Sequence, residues 1–116
     1  MDIYENYVIN IMNEGITVLP EYNDIFVEIA EKHFENKTFV YISHRIHSYS
    51  VDPTIYIETA KIKNLVGFAV VSNTPLQKMQ TKVEKVFFGK EFRHFETIKE
   101  AINWKDKIIK KRSLQN

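Results

Sequence analysis

Leu65-Val66-Gly67-Phe68-Ala69-Val70-Val71 is a seven-residue run of near-continuous apolar character, closed by Ser72-Asn73. A strand that alternates apolar and polar residues can rest one face on water. A strand apolar at every position must be covered on both faces, and helices usually supply that cover. The run therefore predicts a central strand inside an α/β domain. Thr74-Pro75-Leu76-Gln77 follows at once and reads as a helix start. It offers a capping hydroxyl, proline at the first helical position and glutamine at the third.

The remaining residues bound what kind of domain this is. A chain of 116 residues has room for one core. At that size folding buries roughly two thirds of the extended chain's surface, enough without metal or disulfide staples. The absence of cysteine excludes disulfides, thiol nucleophiles and cysteine zinc sites. A net charge of +1 gives no global attraction to nucleic acid, so no nucleic-acid partner is expected. Met1-Asp2-Ile3-Tyr4-Glu5 lacks the basic start of a signal peptide, and no apolar run approaches the roughly 20 residues of a transmembrane segment. The expectation is a soluble cytoplasmic domain.

Taken in order, Tyr7–Met12 is β-branched and aromatic and predicts a first strand, with Ile3-Tyr4 leading in. Asn13-Glu14-Gly15 is a turn, and Ile16 to Leu19 is expected to return as the partner in an N-terminal hairpin. Pro20 opens a helix to about Phe34, with Tyr22, Ile25, Phe26, Ile29, Ala30 and His33 on one face. Thr38–Ile42 is the next strand. Asp52-Pro53 starts a short helix running to about Lys63. In the helix after Thr74, Leu76, Met79, Val83, Val86 and Phe87 form the stripe expected to be buried, and Gly89 ends it. Glu91–Phe95 is a short strand. Thr97-Ile98-Lys99-Glu100 caps a last helix that buries Ile98, Ala101, Ile102, Ile108 and Ile109, with Trp104 flanking. Lys110–Asn116 is basic, and the domain is placed at 1–112 with a frayed tail at 113–116. Repeated strand–helix units with right-handed crossovers give a mainly parallel sheet of four to five strands with about four helices.

The later part of this pattern resembles a known family. Phe68-Ala69-Val70-Val71-Ser72-Asn73, an amphipathic helix, Phe92-Arg93-His94-Phe95, then Thr97 and Glu100-Ala101-Ile102-Asn103-Trp104 are similar to the C-terminal half of STAS/SpoIIAA-like domains. The likeness covers Val66 to Trp104 by motif and the whole chain by element order. It implies a non-enzymatic domain used in regulation, protein association or, in Sec14-like relatives, apolar ligand binding. Anti-sigma-factor antagonists of this type carry a phosphorylatable serine in an Asp-Ser-Ser-Gly-like turn. Here the comparable connection, Ser43–Asp52, is longer and lacks that motif, so no phosphoserine is assigned.

Ligands of open α/β sheets bind beyond the carboxyl ends of the strands. That rule gathers His44, Arg45, His47, Ser48, Tyr49, Ser50 and Asp52 of the long polar loop with Ser72, Asn73 and Thr74 as one candidate rim. Asn13-Glu14 and Glu96-Thr97 join it if the strands are parallel. His44 and His47 are spaced like metal ligands, but two histidines lack a third partner, and no metal or other cofactor is assigned. Arg45 and His47 are candidates to hold an anion over the helix after Asp52, although Asp52 as a cap competes for the same N–H groups. Ser48 or Ser50 beside a histidine sketches a nucleophile, yet no elbow or oxyanion loop accompanies them, and no catalytic residue is assigned. The three glycines, Gly15, Gly67 and Gly89, are scattered and make no phosphate-cradling loop. Tyr49, Tyr56 and Phe68 are expected to line an apolar pocket if packing leaves a gap beneath the loop. Lys78, Lys82 and Lys85 share a helix face, read as a solvated one. The sequence thus favours a non-catalytic binding domain, its partner a protein or a second copy. The alternative is a carrier of a small apolar or anionic ligand at the rim.

Overall fold

The computed structural model describes residues 1–47 and 50–114. Strands β1 (Asp2–Ile3), β2 (Tyr7–Asn10), β4 (Phe39–His44), β6 (Leu65–Val71) and β7 (Glu91–Phe95) form a five-stranded sheet in the order β1-β2-β4-β6-β7. The last four are mutually parallel, and β1 is an antiparallel edge. Two further short strands, β3 (Thr17–Val18) and β5 (Ser50–Val51), pair with each other in parallel beyond the sheet. The helices are α1 (Asn23–His33, entered through a single 3₁₀ turn), α2 (Ile55–Thr59), α3 (Pro75–Phe88) and α4 (Ile98–Leu114).

Strands added one after another on the same side, each through a right-handed crossover, place α1, α2 and α3 on one face. α4 follows the last strand and turns onto the other. Two cores result. Phe26, Ile29, Ala30, Ile55, Tyr56 and Phe88 from the three helices meet Val8, Phe39, Tyr41, Phe68, Val70 and Phe92 of the sheet. Ala101, Trp104 and Ile108 of α4 meet Val40, Ile42, Val66, Ala69 and Val71 on the reverse. Every residue of β6 is buried, as its composition requires.

Register does the rest. Tyr41, Phe68 and Phe92 are direct neighbours across β4, β6 and β7 and stack with ring centroids 5.0 and 5.1 Å apart. Tyr56 stands edge-on over Phe68 and Phe92, at 5.3 and 5.2 Å. A bulge between Phe39 and Val40 sets Leu65 opposite Phe39 but Gly67 opposite Val40, so Val66 is the extra residue and strand alternation resumes from Gly67. A Cβ on Gly67 would lie 3.1 Å from Trp104 Cη2 and 3.3 Å from Val40 Cγ2. Trp104 is therefore seated against β6 through the missing side chain, in the second core rather than beside it.

Several expectations are corrected. Thr17–Val18 does not return onto β2, because Asp2–Ile3 already holds that edge. It pairs instead with Ser50–Val51, with Ser50 N–H bonding the Ile16 carbonyl at 3.0 Å and Asp52 N–H the Val18 carbonyl at 2.9 Å. α2 stops at Thr59, whose hydroxyl lies 3.0 Å from the Ile55 carbonyl and 2.7 Å from Asn23 Oδ1. The end read as frayed is helical through Leu114. The largest correction concerns α3. Its inward face carries Thr81, Glu84 and Phe88, while Leu76, Met79, Val83 and Val86 are 66%, 64%, 55% and 79% exposed. Phe87 alone of the expected stripe is half-buried.

Candidate functional site

Because β2, β4, β6 and β7 all run the same way, their carboxyl ends meet at one rim, and His44 lies opposite Val71, which lies opposite Phe95. Ser43 and His44 complete β4 rather than beginning the loop. His44 is half-buried, and burial lowers its pKa below the ordinary imidazole value. His47 is exposed, and Ser50 is exposed within β5. Ser48 and Tyr49 lie outside the described residues. Asp52 accepts hydrogen bonds from Thr54 N–H and its hydroxyl, at 3.1 and 2.7 Å, which lower its pKa. Those bonds turn the chain into α2, so the carboxylate closes the turn ahead of the helix. Ser72 is buried, Asn73 is exposed, and exposed Thr74 caps α3 by accepting the Gln77 N–H at 3.3 Å.

Arg45 is the residue whose role changes most. Its backbone N–H bonds the Val71 carbonyl at 2.8 Å, which draws the chain inward over the end of β6. Its guanidinium reaches Glu84 of α3 with both terminal nitrogens, at 2.9 and 2.6 Å, a bidentate pair whose side chains are only 4% and 5% exposed. Tyr56 donates its hydroxyl to Glu84 Oε1 at 2.8 Å and lies 3.3 Å from the guanidinium. Arg45 thus holds α3 to the rim and is not an anion ligand at the surface. The pair also explains the rotation of α3, since turning Leu76 and Val83 inward would expose Glu84 and strand Arg45.

Ser72 and His94 form a second rim contact that sequence reasoning missed. Ser72 Oγ lies 2.8 Å from His94 Nε2, on the neighbouring strand. The same nitrogen is 3.1 Å from the Ser72 carbonyl oxygen, which can only accept. Both oxygens of Ser72 thus lie within hydrogen-bond reach of one imidazole nitrogen. Burial lowers the His94 pKa, against the opposing effect of that carbonyl. The contact ties β6 to β7. Among the described residues no cluster of three or more histidines and carboxylates is placed to hold a metal.

Beneath the rim, among the described residues, Tyr56 and Phe68 of the expected apolar pocket bound, with Tyr41 and Arg45, a space of about 20 Å³, room for a single water, and Tyr49 lies outside the described residues. A larger open hollow, about 740 Å³, lies at the opposite end between α1, α2 and the residues entering β4 and β6. Its walls mix Glu31, Glu35 and Glu58 with Lys37, Lys61, Lys63 and Arg112, so both signs of charge line it.

The outer face of α3 is the most distinctive surface. Leu76, Met79, Val83 and Val86 follow the spacing i, i+3, i+7, i+10 and line one exposed side of the helix. Lys78, Lys82 and Lys85 run along one edge of that line and are exposed. The one acidic residue of the helix, Glu84, is turned inward. No helix among the described residues is long and apolar enough to cross a membrane. Compared with known proteins, the chain matches no family model, no curated relative and no solved structure.

Proposed function

We propose that this chain is a non-enzymatic regulatory or protein-interaction domain of STAS/SpoIIAA-like type, which works by contact through α3 and the adjoining rim. The observation that carries the reading is the four-residue apolar line on α3, turned to water while Thr81, Glu84 and Phe88 face the interior. Contiguous exposed apolar side chains beside polar ones are the usual mark of a contact surface in a folded domain. The α/β architecture with its mostly parallel sheet is compatible with the family likeness. A ligand carrier at the rim finds less support, because the space beneath it that the described residues bound is about that of one water.

Native mass spectrometry of the gently purified full chain tests this. Complexes at protein mass, with a second copy or a host protein, are expected, and Val83→Glu should remove them. Complexes that survive Val83→Glu, or a retained small molecule with no protein partner, would sink the reading.

A further inference from the structure

The line on α3 specifies the kind of partner. Its spacing is that of the a and d positions of two successive heptads, the seam by which one helix docks on another. From Leu76 to Val86 it spans about 15 Å, the length of a short partner helix. The seam is narrow, with Gln80 on one flank and Lys82 on the other, backed by Lys78 and Lys85. All exposed charge on this helix is positive, and it lies on one side only.

Three occupants are conceivable, and the charge distinguishes them. A second copy laid antiparallel along the seam brings Lys82 against its own counterpart. Laid parallel, it sets Lys82 beside Phe87, and neither arrangement supplies a carboxylate. A membrane surface suits a wide apolar face with bulky anchors and basic residues along both borders, whereas this face is one seam wide, half valine and basic along one border. An amphipathic helix with leucine-like residues on its seam and carboxylates along its edge answers both features. Resting on the reading of α3 as a contact surface, we infer that the partner is a short acidic-edged amphipathic helix of another protein.

The test uses the full chain and two fluorescent peptides of about 20 residues, long enough for helix formation. Both carry leucine at a and d; one carries glutamate at every e and g position and the other lysine, so that each repels itself and stays monomeric. Anisotropy titration should show the glutamate peptide binding about tenfold tighter than the lysine peptide, with the gap narrowing as salt rises. Val83→Glu should abolish binding. A triple variant, Lys78→Glu, Lys82→Glu and Lys85→Glu, should reverse the preference while circular dichroism stays unchanged. Equal affinity for the two peptides, or saturable binding to neither, would overturn the assignment. Binding to phosphatidylserine vesicles without discrimination between the peptides would overturn it in favour of a membrane. If the peptides fail while native complexes are still lost on Val83→Glu, the partner class is wrong and the contact surface stands. If the complexes ignore Val83→Glu as well, the surface itself is wrong.

Discussion

Truncating either Arg45 or Glu84 to alanine leaves the other charge in a site almost closed to water, where solvent cannot screen it. Loss of one member of such a pair is expected to cost about 3–5 kcal/mol, whereas Arg45→Met with Glu84→Leu should cost far less or stabilise. Urea denaturation of the three variants decides the matter; single-alanine shifts below about 1 kcal/mol would mean that the pair is solvated. His44 and His94 make a second residue-level case. Burial lowers both pKa values from the ordinary 6.5, so on acidification the unfolded chain takes up protons first. Stability should be full above that value and fall as pH drops through 6.5 and below, in a window separate from the carboxylates, whose ordinary values are 4.5 and 3.8. The check is a series of denaturation midpoints against pH, in which His94→Gln should shallow the decline; an unchanged slope would remove His94 from the account.

At the scale of the element, α3 separates periodicity from orientation. Substitutions on its outer line, Val83→Glu or Met79→Glu, should move stability by no more than about 0.5 kcal/mol, while Phe88→Ala, in the first core, should cost about 3–5 kcal/mol. Thermal or urea unfolding of these three variants measures the contrast, and a large loss from Val83→Glu would mean that the line is core after all. Periodicity reveals that Leu76, Met79, Val83 and Val86 share a side, yet it is silent on which side meets the sheet. The one available hint was Glu84, a lone carboxylate in a helix otherwise basic. Its partner Arg45 lies 39 residues away, beyond the reach of any local pattern. The helix start and stop were legible because they are local. Thr74 caps, Pro75 leads, and Gly89 takes the left-handed conformation at φ 70°.

For the whole molecule, β6 determined the architecture. A strand apolar on both faces had to be covered twice, and the structure answers with α1, α2 and α3 on one side and α4 on the other. The parallel sheet, the four helices and the convergence of strand ends at one rim were accessible from residue patterns, since those depend on spacing, capping and crossover handedness. Of the candidate site, the position of the rim was readable but the state of its side chains was not. Arg45 is buried in an ion pair, and Ser72 meets His94 of the neighbouring strand. The short strand at Thr17–Val18 found Ser50–Val51 instead of β2, because two residues hold too little pattern to specify a partner. What the sequence determined alone is where elements begin, how long they run and which residues share a face, because these follow from contacts within a few positions. Which face of α3 turns to water was decided by tertiary structure, because Arg45, Tyr56 and Glu84 lie far apart in the chain and satisfy one another only once the sheet has brought them together.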